Sequence, residues 1–504
     1  MTAMNKRLPK VFSHPLSLVG LIIAVFNAAF IVFLSVVEAL SARVHPYADL
    51  VIWLVLPVFV LLGVVLIVVG IRRERRREQT GAAAERRYLV IDFNDPKHRR
   101  TAVVLLTGFL LLSLLYAFAG YKTYEFTESE TFCGKMCHQV MGPEFRSHAS
   151  SVHAEIACVE CHVGSGAKYF LLYKLKGTRQ LFDVLAGRYP RPIPTPVADL
   201  RPSQDVCENC HGPQYQINQR LESRTYFLSD AGNTRKTINL LLRMGKAEVT
   251  KERPPKMHWH SSTTEEIIYA ATDPKRTVIP WVRVKRLDGV ERVYRSTDEK
   301  LSDAELENAG KRRMDCVDCH NRPGHPYRPP AVILNALLAL KLVDPALPEV
   351  KSIAVKVLDG SYGSQEEAQQ RIESSIRDFY RTRYPDAAGR SEAAITAAIK
   401  ALQRAYDRNY DPHMKVSWKN FPDNQGHRFS PGCFRCHDGK HRSDDGAVLS
   451  RDCSLCHLLI EQVGGAGAGA QDRAQFQVMK NPHPVDIGDS WKDMLCHECH
   501  GASP

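Results

Sequence analysis

Fourteen cysteines fall into seven pairs, and a histidine follows the second cysteine of every pair. The pairs are Cys133/Cys137 with His138, Cys158/Cys161 with His162, Cys207/Cys210 with His211, Cys316/Cys319 with His320, Cys433/Cys436 with His437, Cys453/Cys456 with His457 and Cys496/Cys499 with His500. Six have the spacing Cys-x-x-Cys-His, and the first carries one residue more. Cys-x-x-Cys-His is the attachment signature of haem c. Its two thiols form thioethers with the ring vinyl groups, and the adjacent imidazole becomes the proximal iron ligand. A disulfide framework gives no reason for the histidines, and a zinc ribbon needs two Cys-x-x-Cys units per ion. The expectation is seven covalent haem c groups, attached on the outer side of an energy-coupling membrane.

The 504 residues leave room for an anchor and two or three domains. Three apolar runs stand at about 16–37, 50–71 and 101–120, each long enough to span a bilayer and free of charge in its interior. The tail carries Lys6, Arg7 and Lys10, the first loop only Arg43, and the stretch 72–100 ten basic residues. The positive-inside rule then puts the N-terminus and that stretch in the cytoplasm and sends the third run outward. A net charge of +12 first suggests nucleic acid, but topology and anionic lipid account for the basic stretch, and no nucleic-acid partner is expected.

The expected class is a mainly α membrane protein. Three transmembrane helices (residues 1–120) precede a multihaem cytochrome c region with little regular structure. A four-haem domain covers 121–330, with a small β-hairpin insertion at about 263–298, where VIPWVRVKR and VERVYRS flank Leu287-Asp-Gly289. Residues 331–415 read as helical, a spacer or packing layer without cysteine, and 416–504 as a three-haem domain.

Several stretches together resemble the NapC/NirT family of membrane-anchored multihaem quinol dehydrogenases. They are the haem motif just after an apolar helix, the Cys-His-x-x-Met-x-Pro-Glu context, Ser151-Val-His153 before the second motif, the Lys-x-Lys-Gly-x-Arg-Gln segment and YPRPIPTP. The resemblance covers roughly residues 100–325. Three apolar runs and a long C-terminal half make the chain more similar to the larger seven-haem inner-membrane cytochromes of metal-respiring bacteria. It implies oxidation of quinol or menaquinol at the bacterial inner membrane and electron delivery to soluble periplasmic c-type cytochromes in anaerobic or extracellular respiration. It also implies a Lys and an Asp near the first haem that handle the quinol, here Lys174 and Asp183 in an amphipathic segment. Quinone reduction in the reverse direction, or a terminal reductase of nitrite or a sulfur oxyanion, are the alternatives. The reductase needs an open iron face, which seven histidine-ended motifs and many spare histidines disfavour.

Thirteen of the 20 histidines lie outside the proximal positions. His14 and His98 fall on the cytoplasmic side, and His45 reads as a surface residue. His153, His258, His260, His325, His427, His441 and His483 are the expected distal iron ligands. His497 points away from its own motif's iron. Met141 is either a thioether ligand to the first iron or a packing residue.

Overall fold

The computed structural model describes residues 14–40, 56–79, 94–136, 138–164, 167–197, 200–212, 217–245, 256–262, 265–463, 487–490 and 494–500. The chain divides into two compact units. One is Met1–Glu128 with Val163–Phe182, and the other is Ser129–His162 with Asp183–Pro504.

The first unit contains α1 (Pro15–Leu40), α2 (Leu56–Gln79) and α3 (Pro96–Thr127). Among the described residues, α1 and α2 are long and apolar enough to cross a membrane. The third expected run is the middle of α3. That helix is started by Asp95, whose carboxylate accepts from Lys97 N at 2.8 Å, with Pro96 in the first turn. α1 and α2 pack through small residues. A Cβ on Gly20 would stand 2.5 Å from Gly63 O, one on Gly63 would stand 2.6 Å from Gly20 O, and one on Gly70 would collide with Ser17. Ser17 Oγ donates to Ile67 O at 3.2 Å. Close backbone approach through small residues suits helices that gain nothing by hiding apolar side chains from lipid. Val19, Ile22, Val25, Val58, Leu61 and Val65 accordingly face outward.

The second unit is built around a helical layer. It comprises α10 (Pro330–Ala339), α11 (Val350–Leu358), α12 (Gln365–Arg383), α13 (Pro385–Arg390) and α14 (Glu392–Asn409), which follow α4 (His138–His148), α5 (Cys158–His162), α6 (Ala167–Leu185, shared with the first unit), α7 (Ser203–His211), α8 (Asp303–Asn308) and α9 (Cys316–Cys319). Ala368, Ile372, Ile376 and Tyr380 repeat at i, i+4 along α12 and are fully buried. They meet Ile395, Ala398, Ile399, Leu402 and Tyr406 of α14. Ser364 caps α12 by accepting from Glu367 N at 3.1 Å. The stretch read as spacer or packing is thus the main apolar core. Each buried Leu or Ile contributes about 1.5–3 kcal/mol.

The rest holds more regular structure than the sequence suggests. β1 (Gln219–Phe227) and β2 (Arg235–Arg243) form an antiparallel hairpin, and β2 also pairs with β8 (His457–Val463). A five-stranded sheet runs β6 (Arg312–Arg313), β3 (Glu266–Ala270), β4 (Trp281–Lys285), β5 (Glu291–Ser296), β7 (His441–Ser443). β4 and β5 are the hairpin expected from the Asp-Gly turn, with Gly289 at φ +80° and Arg286 N donating to Val290 O at 2.9 Å. Instead of standing as a small insertion, the hairpin is the centre of that sheet. β6 leads directly into the fourth motif, and β7 follows the fifth.

Candidate functional site

The motifs follow one another in space as they do in sequence. Hydrogen-bonding contacts join the thiols of Cys133 and Cys158, of Cys207 and Cys316, and of Cys433 and Cys456. Between these couples, Cys161 feels the charge of Cys210, Cys436 that of Cys319, and Cys496 that of Cys453. None of the thirteen described cysteines forms a disulfide. Among the described residues no three His, Cys, Asp or Glu side chains gather as round a bare ion. Haem iron draws only two axial ligands from the protein, so it calls for pairs.

Such pairs are present. Ring centroids lie 6.1 Å apart for His325 and His162, and 6.1 Å for His153 and His211. They lie 6.4 Å apart for His258 and His320, 5.8 Å for His260 and His437, and 6.2 Å for His427 and His457. Two imidazoles on opposite faces of one metal, each with its nitrogen about 2 Å away, have centroids roughly 6 Å apart. Five motifs, the second to the sixth, therefore each have a spare histidine at this spacing.

The other ring nitrogen is held as a ligand requires. His153 Nδ1 lies 3.1 Å from Pro323 O, His260 Nδ1 2.8 Å from Met257 O, His325 Nδ1 3.0 Å from Glu144 O, and His437 Nδ1 2.9 Å from Ser450 O. A carbonyl only accepts, so Nδ1 carries the proton and Nε2 keeps a lone pair for metal. Burial pushes His260, His325 and His427 down to about 4, which keeps those rings neutral. This donor set fits haem.

His441 does not fit, and the expectation that it is a distal ligand is corrected. Its Nδ1 faces Asp438 Oδ1 at 2.9 Å and its Nε2 faces Ile279 O at 2.7 Å. Both partners accept, so both nitrogens donate and none is left for metal. Burial opposes its charge, but Asp438 and the Ile279 carbonyl outweigh burial and raise its pKa. Its place at the start of β7 makes it a strut between the sheet and the fifth motif. His483, Cys137 and the side chain of His138 lie outside the described residues. His148 is buried, 5.9 Å from the ring of His325.

At the first motif the extra residue is taken up by a π-helical turn, Thr131–Met136. π-turns widen the helix by one residue per turn and recur at functional sites. Gly134 is required there, because a Cβ would run into the Phe145 ring. Met141 is half-buried and packs against the helical core beside the buried Val140.

Lys174 and Asp183 have different partners. Lys174 makes an ion pair with Glu128 and donates to Thr127 O at 3.2 Å. Glu128 is the C-cap of α3, and its carboxylate is only 10% exposed. Asp183 lies 3.9 Å from Arg188, at the surface. Sequence reasoning missed Glu128. The signal available was its place, an acidic residue at the end of an apolar helix five positions before Cys133.

The model of the NapC/NirT cytochrome c family, N-terminal region, matches residues 95–192. The chain is also 39% identical over 494 residues to the cytochrome c-type protein ImcH of Geobacter sulfurreducens, an overlap of 97% of this chain and 95% of that protein. No solved structure matches.

Proposed function

The chain belongs to the NapC/NirT cytochrome c family, and on that premise we propose that it is an inner-membrane quinol dehydrogenase. It is a c-type cytochrome of electron transport and binds haem covalently. In this reading α1, α2 and the apolar middle of α3 all cross the bilayer, with the N-terminus cytoplasmic and the seven haem motifs periplasmic. Quinol gives up its electrons near the first motif, and soluble periplasmic c-type cytochromes receive them beyond the last.

The observation that carries this reading is the run of paired imidazoles along consecutive motifs. His162 with His325, His211 with His153, His320 with His258, His437 with His260 and His457 with His427 would hold five of the groups on both faces. Bound haem supplies a one-electron couple. The chain fixes ligand orientation through the carbonyls of Glu144, Met257, Pro323 and Ser450, and fully ligated iron suits transfer rather than substrate turnover. At the membrane end, oxidation of quinol releases protons and calls for a base. The buried Glu128 carboxylate, paired with Lys174, is the acceptor assigned here, taking one at its oxygen. Asp183 is assigned as a second proton acceptor for the quinol, and Met141, packed beside Val140, as a neighbour that tunes the first haem.

The test is reduction of the purified, haem-loaded protein by a menaquinol analogue. Haem absorbance rises to full reduction in the wild type. In Lys174→Met and Glu128→Gln the rate falls by about 10²-fold, the scale of a lost general base, while a chemical reductant still reduces every haem. Met141→Leu shifts the potential of one haem. If the analogue leaves the wild type oxidised at a workable potential, the proposal fails.

A further inference from the structure

Two buried charged residues, joined through the main chain, stand where the fourth motif adjoins the fifth. Asp318 lies inside the fourth motif, between Val317 and Cys319, and its carboxylate is 1% exposed. It accepts from Tyr269 Oη at 2.6 Å, Arg276 Nη1 at 3.1 Å, Arg312 Nε at 3.0 Å and Asp315 N at 2.8 Å. Arg435 lies inside the fifth motif, between Phe434 and Cys436, and is 7% exposed. Its Nη2 donates to the main-chain carbonyl of Asp318 at 2.7 Å, its Nη1 to Arg276 O at 3.0 Å and its Nε to Gly432 O at 2.8 Å.

Further bonds cross the same seam. Asn424 Nδ2 donates to Asp318 O at 3.1 Å, Asn424 N to Asn321 Oδ1 at 2.8 Å, and Asn321 Nδ2 to Pro422 O at 2.9 Å. Burying a guanidinium and a carboxylate costs several kcal/mol of desolvation that apolar side chains of equal volume avoid. What such a cluster supplies in return is a single geometry: the planar fork of Arg435, held by Gly432 O of its own loop, reaches Asp318 O of the fourth motif only when both loops sit in one register.

We infer that Arg435 and Asp318 are positioning residues that lock the fourth haem-attachment loop to the fifth. Electrons then cross from the first four motifs to the last three at this joint, not by way of the helical layer that separates the motifs in sequence. This rests on the reading of the motifs as an electron conduit.

The experiment uses full-length, haem-loaded wild type, Arg435→Gln, Arg435→Lys and Tyr269→Phe, with haem counted for each. An equilibrium redox titration and rapid reduction by a menaquinol analogue are both followed by haem absorbance. The inference expects Arg435→Gln to keep seven haems and to split reduction into two phases. The later phase would cover three of the seven motifs and be slower by about tenfold, the order of loss for a site loosened on the ångström scale. In the titration, the midpoints of two haems shift.

Arg435→Lys keeps the charge but not the fork, and is expected to show the split with smaller midpoint shifts. A wild-type time course and titration in Arg435→Gln with seven haems overturns the inference. If Arg435→Gln loses haem, Tyr269→Phe decides. It removes one hydrogen bond from Asp318 and leaves both charges, so a partial slowing supports the joint and an unchanged profile overturns it. If the quinol analogue fails on the wild type, the quinol reading is what falls, and the titration alone decides the joint.

Discussion

The helical layer and the motif-bearing loops are made of the same chain but are held together by different things. In the layer, Leu334, Leu358, Ile372, Ile376, Tyr380 and Leu402 are fully buried against one another. In the loops, Cys161, Cys210, Cys453 and Cys499 are exposed, and α5, α9 and α15 (Cys496–His500) are single turns of four or five residues. Helices this short are not stable by themselves. Amino acids complete the core of the layer. The loops keep their partners for a group that is not an amino acid, and what they contribute is paired imidazoles with one nitrogen already committed.

The largest effect that separates the two regions comes from withholding haem. Protein made without haem attachment is expected to lose protease protection across 129–162, 200–212 and 432–463, while 330–409 survives as a resistant fragment on limited proteolysis with mass analysis. Equal cleavage of both regions breaks the comparison. The converse perturbation is Ile376→Ala. It is expected to cost about 2–5 kcal/mol of stability by thermal or denaturant unfolding, with the low-spin haem spectrum of the folded protein unchanged.

A smaller change sharpens the contrast between two buried histidines. His325→Ala is expected to open one iron, seen as a high-spin signal that binds carbon monoxide. His441→Ala leaves the spectrum intact and costs about 1–3 kcal/mol through the orphaned Ile279 carbonyl and Asp438. A high-spin signal in His441→Ala would restore it as a ligand.

The smallest effect is one of pH, in the layer itself. Lys351 of α11 is buried and donates to Phe227 O. Burial first, then repulsion from Arg428, lowers its pKa to about 8 from 10.5. A lysine lowered in the folded state binds fewer protons there than in the unfolded chain between those values. Stability therefore rises as pH climbs through that window and is penalised below it. Denaturant unfolding at the two ends of the window shows the rise in the wild type, and Lys351→Gln flattens it.

The motifs were plain in the sequence because thioether chemistry ties both thiols and the proximal histidine to adjacent positions. The spare histidines that stand beside them were not, because the fold brings His325 to the second motif and His260 to the fifth across long stretches of chain. His258 and His260, only two residues apart, stand beside the proximal histidines of different motifs, the fourth and the fifth. His441 was misread although its local signal was visible: Asp438 stands three residues before it, ready to take Nδ1. The β1–β2 hairpin was also legible in part. Asp230 closes its turn by accepting from Thr234 N and Oγ1, but alternation of exposed and half-buried residues in a motif-rich region carries little contrast. The pairing of β8 with β2 left no local trace at all.

That last pairing has a consequence for how the protein is made. β2 emerges from the ribosome long before β8, and between them come the fourth, fifth and sixth motifs. Through that interval the Leu240–Leu242 edge has no strand beside it, and an open edge is a template for wrong pairing. Until β8 is made, the first sheet of the chain is unfinished. A truncation before His457 yields not a shorter cytochrome but one with an adhesive flank.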